Sequence, residues 1–129
     1  MAKETLLESD ITAGARFIEA LDKDGNPINA ALWFYYPDLS QWKLLLTSPK
    51  FDKSNPTISY TEVSKILSAQ DEADQNISIA DVKILGEKDP LRVLLKAIIR
   101  TNKGIHQIRM KSSVLNGIYV EDALIYRNA

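Results

Sequence analysis

The chain reads as an α+β fold: a mainly antiparallel sheet of about five strands covered by three helices, in the order α-β-β-α-β-α-β-β. Three observations predict it. Residues 30–47, AALWFYYPDLSQWKLLLT, have the content of an aromatic strand pair around a turn. Apolar residues recur at helical spacing in three other stretches. Two alternating runs flank Asn116-Gly117, the strongest turn dipeptide in the sequence.

The first helix rests on Leu7, Ile11, Gly14, Ile18 and Leu21, which share one helical face. Its start is expected near residue 4 or, with Ser9 or Asp10 as cap, near residue 10. Gly14 on the apolar stripe leaves room for a neighbouring element. Asp24-Gly25-Asn26-Pro27 ends the helix. The oxygen-rich run Asp22–Asn26 resembles the opening of a calcium loop. Such a loop needs glycine sixth and glutamate twelfth, where this chain has Pro27 and Trp33, so calcium is rejected.

Trp33, Phe34, Tyr35, Tyr36 and Trp42 are half of all the aromatic residues. Alternation sends Leu32, Phe34 and Tyr36 to one side of a strand, and Ala31, Trp33 and Tyr35 to the other. Both sides are apolar, which predicts an inner strand covered on both faces. Pro37–Ser40 is the hairpin turn and 42–47 the returning strand. A loop is expected from Thr47 to Pro56. Ser59 with Glu62 has the form of a capping box, with Ile58 and Val63 as its staple, opening a second helix. That helix fades in the polar run Asp71–Gln75, expected as a solvated connection.

A strand is expected at 79–85. Asp89-Pro90 then starts the third helix, cap followed by proline, and Asn102-Lys103-Gly104 is expected to end it. A strand competes over 89–103, but both ends are signalled and the charges keep helical spacing. The closing hairpin has strands at 105–111 and 118–127, with a turn at 112–117. This register would bring Gln107 and Arg109 near Val120–Asp122.

At 129 residues the chain is one domain, 1–129, able to bury a core. Cysteine is absent, which removes disulfides and thiolate chemistry. MAKETLLESD is acidic where an export signal is apolar, and no run is long enough to span a membrane. Cytoplasm is the expected location. The net charge of −1 hides a split: residues 1–82 hold 13 acidic against 7 basic side chains, and residues 83–111 hold 8 basic against 2 acidic. Either a basic surface or attraction within the fold accounts for it.

Few constellations offer chemistry. His106 is the single histidine, which leaves no set of zinc ligands and one candidate base. No two glycines are closer than eleven residues, so no phosphate loop can be drawn, and no cofactor is expected. Glu121 and Asp122 leave a strand on opposite sides and cannot face each other as an acid/base pair; a cross-strand ion pair with Arg109 is the structural reading. Arg92, Lys96, Arg100 and Lys103 recur at helical spacing as a basic stripe that could meet phosphates. Against nucleic acid, the sequence pI is about 5.8.

The segments RTNKGIHQIRMKSSVLNGIYVEDALIYR and AALWFYYPDLSQWKLLLTSP resemble a family of small bacterial proteins of uncharacterised function. The family's C-terminal part has the form RTG-x-G-x-x-GIR, an Asn-Gly turn, then a strand with Glu-Asp and Tyr. This chain departs from it at Asn102 and Lys103, where the pattern has Gly and a variable residue, and at Gln107, where it has Gly. The resemblance implies a bacterial cytosolic protein and carries no activity, cofactor or site.

Three functions follow in order of expectation. The first is a non-enzymatic protein–protein interaction or accessory domain, its partner another protein or a second copy in a homodimer. The second is a small enzyme using His106, Arg109, Glu121 or Asp122, and a tyrosine, which requires these side chains to converge. The third is a nucleic-acid-binding domain using the stripe at 92, 96, 100 and 103.

Overall fold

The computed structural model describes residues 3–70 and 77–129. The run Asp71–Gln75 lies outside the described residues. The strands are β1 Ala30–Tyr36, β2 Gln41–Thr47, β3 Val82–Ile84, β4 Ile108–Leu115 and β5 Ile118–Asn128. They form one sheet in the order β3-β2-β1-β5-β4. The helices among the described residues are α1 Glu8–Lys23, α2 Pro49–Asp52, α3 Pro56–Ser68 and α4 Pro90–Ile98.

The class is α+β, but two expectations are corrected. The sheet is mixed, not mainly antiparallel, and the helices among the described residues number four, not three. Strand β1 pairs antiparallel with β2 and β5, and β4 with β5, while β2 and β3 run parallel, with Leu44 opposite Val82. A parallel pair needs a crossover, and α2 and α3 supply it. Three residues of β3 are too few to display a period, and Ile79–Asp81, expected as strand, is a 3-10 turn. There the Asp81 carboxylate accepts from the Ser78 backbone N–H at 3.0 Å. The extra helix, α2, occupies the expected loop, capped by the Ser48 hydroxyl with Pro49 at its first position.

Two helix starts also move. Helix α1 begins at Glu8, between the two expected points, and Asp10 accepts from the Leu7 N–H at 2.8 Å. Helix α3 begins at Pro56, because Asn55 caps it by accepting from the Ile58 N–H at 2.9 Å. Ser59 lies inside the first turn with its hydroxyl buried and unpartnered among the described residues. Urea denaturation is therefore expected to find Asn55→Ala destabilising by about 1 kcal/mol. Ser59→Ala is expected to be neutral or stabilising, since it removes a buried hydroxyl that has already lost water. A larger loss for Ser59→Ala than for Asn55→Ala would restore Ser59 as the cap.

The alternation of β1 divides the core in two. On one face Ala31 and Trp33 join Leu44, Leu46, Leu124 and Tyr126 beneath α1 and α3. On the other, Leu32 and Phe34 join Leu45, Val120, Ala123 and Ile125 beneath α4. Trp33 is 0% exposed, as expected of an inner strand. Its indole Nε1 donates to the Tyr126 hydroxyl at 2.8 Å, which donates in turn to the Ile11 carbonyl at 2.6 Å. Strand and helix approach this closely because of Gly14: a Cβ there would lie 2.3 Å from the Tyr126 oxygen.

That network has a pH signature. Burial raises the Tyr126 hydroxyl well above its ordinary pKa of 10.0, Trp33 opposes the shift, and nearby Asp10 adds to it. A raised folded-state pKa contributes stability below the unfolded value and loses it as pH climbs through the folded one. The stability advantage of the native chain over Tyr126→Phe is expected to shrink as pH rises above about 10. Denaturant melts giving a gap independent of alkaline pH would contradict the burial.

Helix α4 starts as expected, with the Asp89 carboxylate accepting from the Leu91 N–H at 2.9 Å. It stops at Ile98, before Asn102-Lys103-Gly104. Tertiary partners take its end: the Asn128 side-chain amide donates to the Leu95 and Ile99 carbonyls, and the Thr101 N–H donates to the Asn128 carbonyl. The turn of the closing hairpin is only Asn116-Gly117, at φ 48 and 80, the pattern of a type I′ turn. Strand β4 consequently runs on to Leu115. Arg109 opposes Leu124 in the backbone register, yet its side chain reaches Asp122 at 2.6 Å, the cross-strand ion pair expected from the sequence.

Candidate functional site

The residues proposed from sequence do not form one site. Arg109 grips Asp122 with two hydrogen bonds, of 2.6 and 2.7 Å, and its guanidinium carbon lies 5.6 Å from the Trp42 ring centre. His106 precedes β4, with Nε2 2.8 Å from the Asn102 side-chain oxygen. Glu121 forms no ion pair among the described residues. None of the five main clefts among the described residues is lined by any of these four residues. A bidentate pair on a hairpin surface serves register.

The basic stripe is divided as well. Arg92 is 2% exposed and points into the protein. Its guanidinium donates to the Asn128 side-chain oxygen and, at 3.1 Å, to the Ala129 carbonyl; Glu87 lies 3.5 Å away. Lys96 sits on the outer side of α4, and Arg100 and Lys103 follow in the loop beyond it; all three are exposed. Asp22, from the run tested for calcium, faces Arg127 at 2.9 Å instead. Among the described residues no three His, Asp and Glu side chains gather as metal ligands.

A cleft at the start of α4 offers more. Four elements meet there: the end of β1, the Pro37-Asp38 turn, β3 and the start of β5. Its volume is about 500 Å³. Phe34, Tyr36, Leu85, Leu91 and Ile118 give it an apolar lining, and Asp38, Lys83, Asp89 and Tyr119 bring polar groups to it. The Phe34 and Tyr36 rings pack with centroids 5.0 Å apart, and the Lys83 ammonium lies 5.4 Å from the Tyr36 ring centre. Tyr119 is 46% exposed. An apolar floor with a few fixed polar groups is the usual form of a binding cleft. A larger hollow, of about 720 Å³, runs along the outward side of α3 and is lined by exposed or half-exposed Pro56, Thr57, Tyr60, Thr61, Ser64 and Lys65, with no buried aliphatic or aromatic side chain among its lining residues. The smaller cleft is the better site on these grounds.

Sequence reasoning missed this cleft. It put Phe34 and Tyr36 on one side of a strand and named Asp89 as a cap. What brings Ile118, Lys83 and the Pro37-Asp38 turn to the same end of the sheet is long-range strand pairing. Compared with protein-family models, curated proteins and solved structures, the chain matches none.

Proposed function

We propose that the protein is a non-catalytic interaction domain that docks a partner protein on the α4 side of its sheet, with the cleft receiving an apolar anchor side chain. The observation that carries this reading is uneven cover. Among the described residues one face lies under α1 and α3, whereas the other has α4 as its one covering helix, nine residues long. Six apolar side chains are partly buried around each core; those around the second are Tyr36, Ile99, Ile108, Met110, Leu115 and Ile118. Val93 at 55% and Ile98 at 45% exposure extend the apolar surface along the helix. Apolar area of this kind beside an apolar cleft favours a protein partner, since buried anchors dominate such interfaces.

Enzymatic and nucleic-acid readings receive less support, because the charged candidates are scattered and Arg92 is committed inside. Pairing through the outer edge of β4 is also disfavoured: Ser112 breaks its regularity at φ 48, and Arg109 and Lys111 guard it. The resemblance to small bacterial proteins favours a bacterial cytosolic setting. No helix among the described residues is long and apolar enough to cross a membrane. The test is selection of displayed random peptides on the wild type, followed by fluorescence anisotropy of the enriched ones. Apolar anchors should be enriched, and Tyr119→Ala should weaken binding by about tenfold. No enrichment over an unrelated bait, or equal binding to Tyr119→Ala, would overturn the proposal.

A further inference from the structure

Resting on that reading, we infer that the partner is a polypeptide segment with an apolar anchor at one end and acidic residues at the other, laid along α4 from its first residue toward its last. The surface beside α4 is electrically polar. At the helix start Asp38 and Asp89 line the cleft and are balanced by exposed Lys83, drawn to the Tyr36 ring, and exposed Lys88. At the helix end Lys96, Arg100 and Lys103 are exposed, and none forms an ion pair among the described residues. Exposed Val93 and Ala97 lie between the two ends.

Charge complementarity and spacing then select the occupant. Phosphates running the whole length would meet the apolar floor of the cleft and apolar side chains along the helix, which disfavours a nucleic acid. An acidic stretch can reach the cations while its neutral or basic end enters the cleft. Nine helical residues at 1.5 Å each span about 13.5 Å, so about four extended residues separate anchor from acids.

The burial of Arg92 sharpens this surface. Its guanidinium is consumed inside, so the exposed cations of α4 and of the loop after it, Lys96, Arg100 and Lys103, all lie toward the distal end. The helix C-terminus there carries its own partial negative charge, which the three cations more than offset.

The experiment selects short random displayed peptides on the wild type and, separately, on Lys96→Glu/Lys103→Glu, two surface changes without buried partners. Wild-type selections should be rich in peptides pairing an apolar residue with Asp or Glu about four positions away. Those peptides should bind the double variant about tenfold more weakly, and the difference should fade as salt rises. Selections on the double variant should favour Lys and Arg at the same distance from the anchor. Apolar peptides without acidic enrichment would overturn this inference while leaving the interaction-domain reading intact; no enriched peptides at all would overturn both. A short single-stranded oligonucleotide that binds the wild type more tightly than the selected peptides, and loses affinity on the double variant, would overturn it in favour of nucleic acid.

Discussion

Replacing Trp33 by alanine is expected to remove about 3–5 kcal/mol of folding free energy, the range for truncating a large core aromatic. Three losses act together. The indole is fully buried in the larger core beneath α1, on the strand at the centre of the sheet. The Tyr126 hydroxyl loses the donor that reaches it at 2.8 Å, and the Lys3 ammonium loses a ring 5.9 Å away. Glycine at position 14 is already fitted to the tyrosine, so α1 has little freedom to move in and fill the void. Urea melts monitored by far-UV circular dichroism give the measurement; a loss below about 1 kcal/mol would mean that the core collapses around the missing ring or that Trp33 is not enclosed.

Arg92→Ala is expected to cost about 3 kcal/mol, whereas Lys96→Ala, one helical turn on, should stay within about 0.5 kcal/mol. The contrast follows from where two cations of one sequence pattern point. Arg92 ties α4 to the Asn128 side chain and the Ala129 carbonyl. Its loss strands buried acceptors, leaves Glu87 without its cation, and opens a gap under the helix. Lys96 ends in solvent. Equal effects in the same denaturation experiment would return Arg92 to the surface and reunite the stripe. Arg92→Lys should recover only part of the loss, because an ammonium cannot present the guanidinium fork to two acceptors.

The elements legible in the sequence were those whose evidence is local. The β1–β2 hairpin, the Asp89-Pro90 start and the Asn116-Gly117 turn all carry their signal within a few residues, and Gly14 marked a close approach through its place on the apolar stripe. Misread elements failed for a different reason. Ser59 with Glu62 has the form of a capping box, yet Asn55-Pro56 captures the helix three residues earlier. Asn102-Lys103-Gly104 is a sound stop signal that α4 never reaches, because Asn128 and Thr101 engage its end first.

The candidate site follows the same division. Apolar alternation alone determined that β1 has two covered faces, which made Trp33 and Phe34 core residues of opposite layers. Only the tertiary structure decided that β2 and β3 run parallel, that Arg92 turns inward, and that the turn after β1, the start of β5 and the first residue of α4 enclose one cleft. Side-chain periodicity is a property of the local backbone and survives in any window of sequence. Which strand lies beside which, and which cation finds a buried acceptor, depends on contacts between residues as distant as Arg92 and Asn128, and those exist only once the chain has closed upon itself.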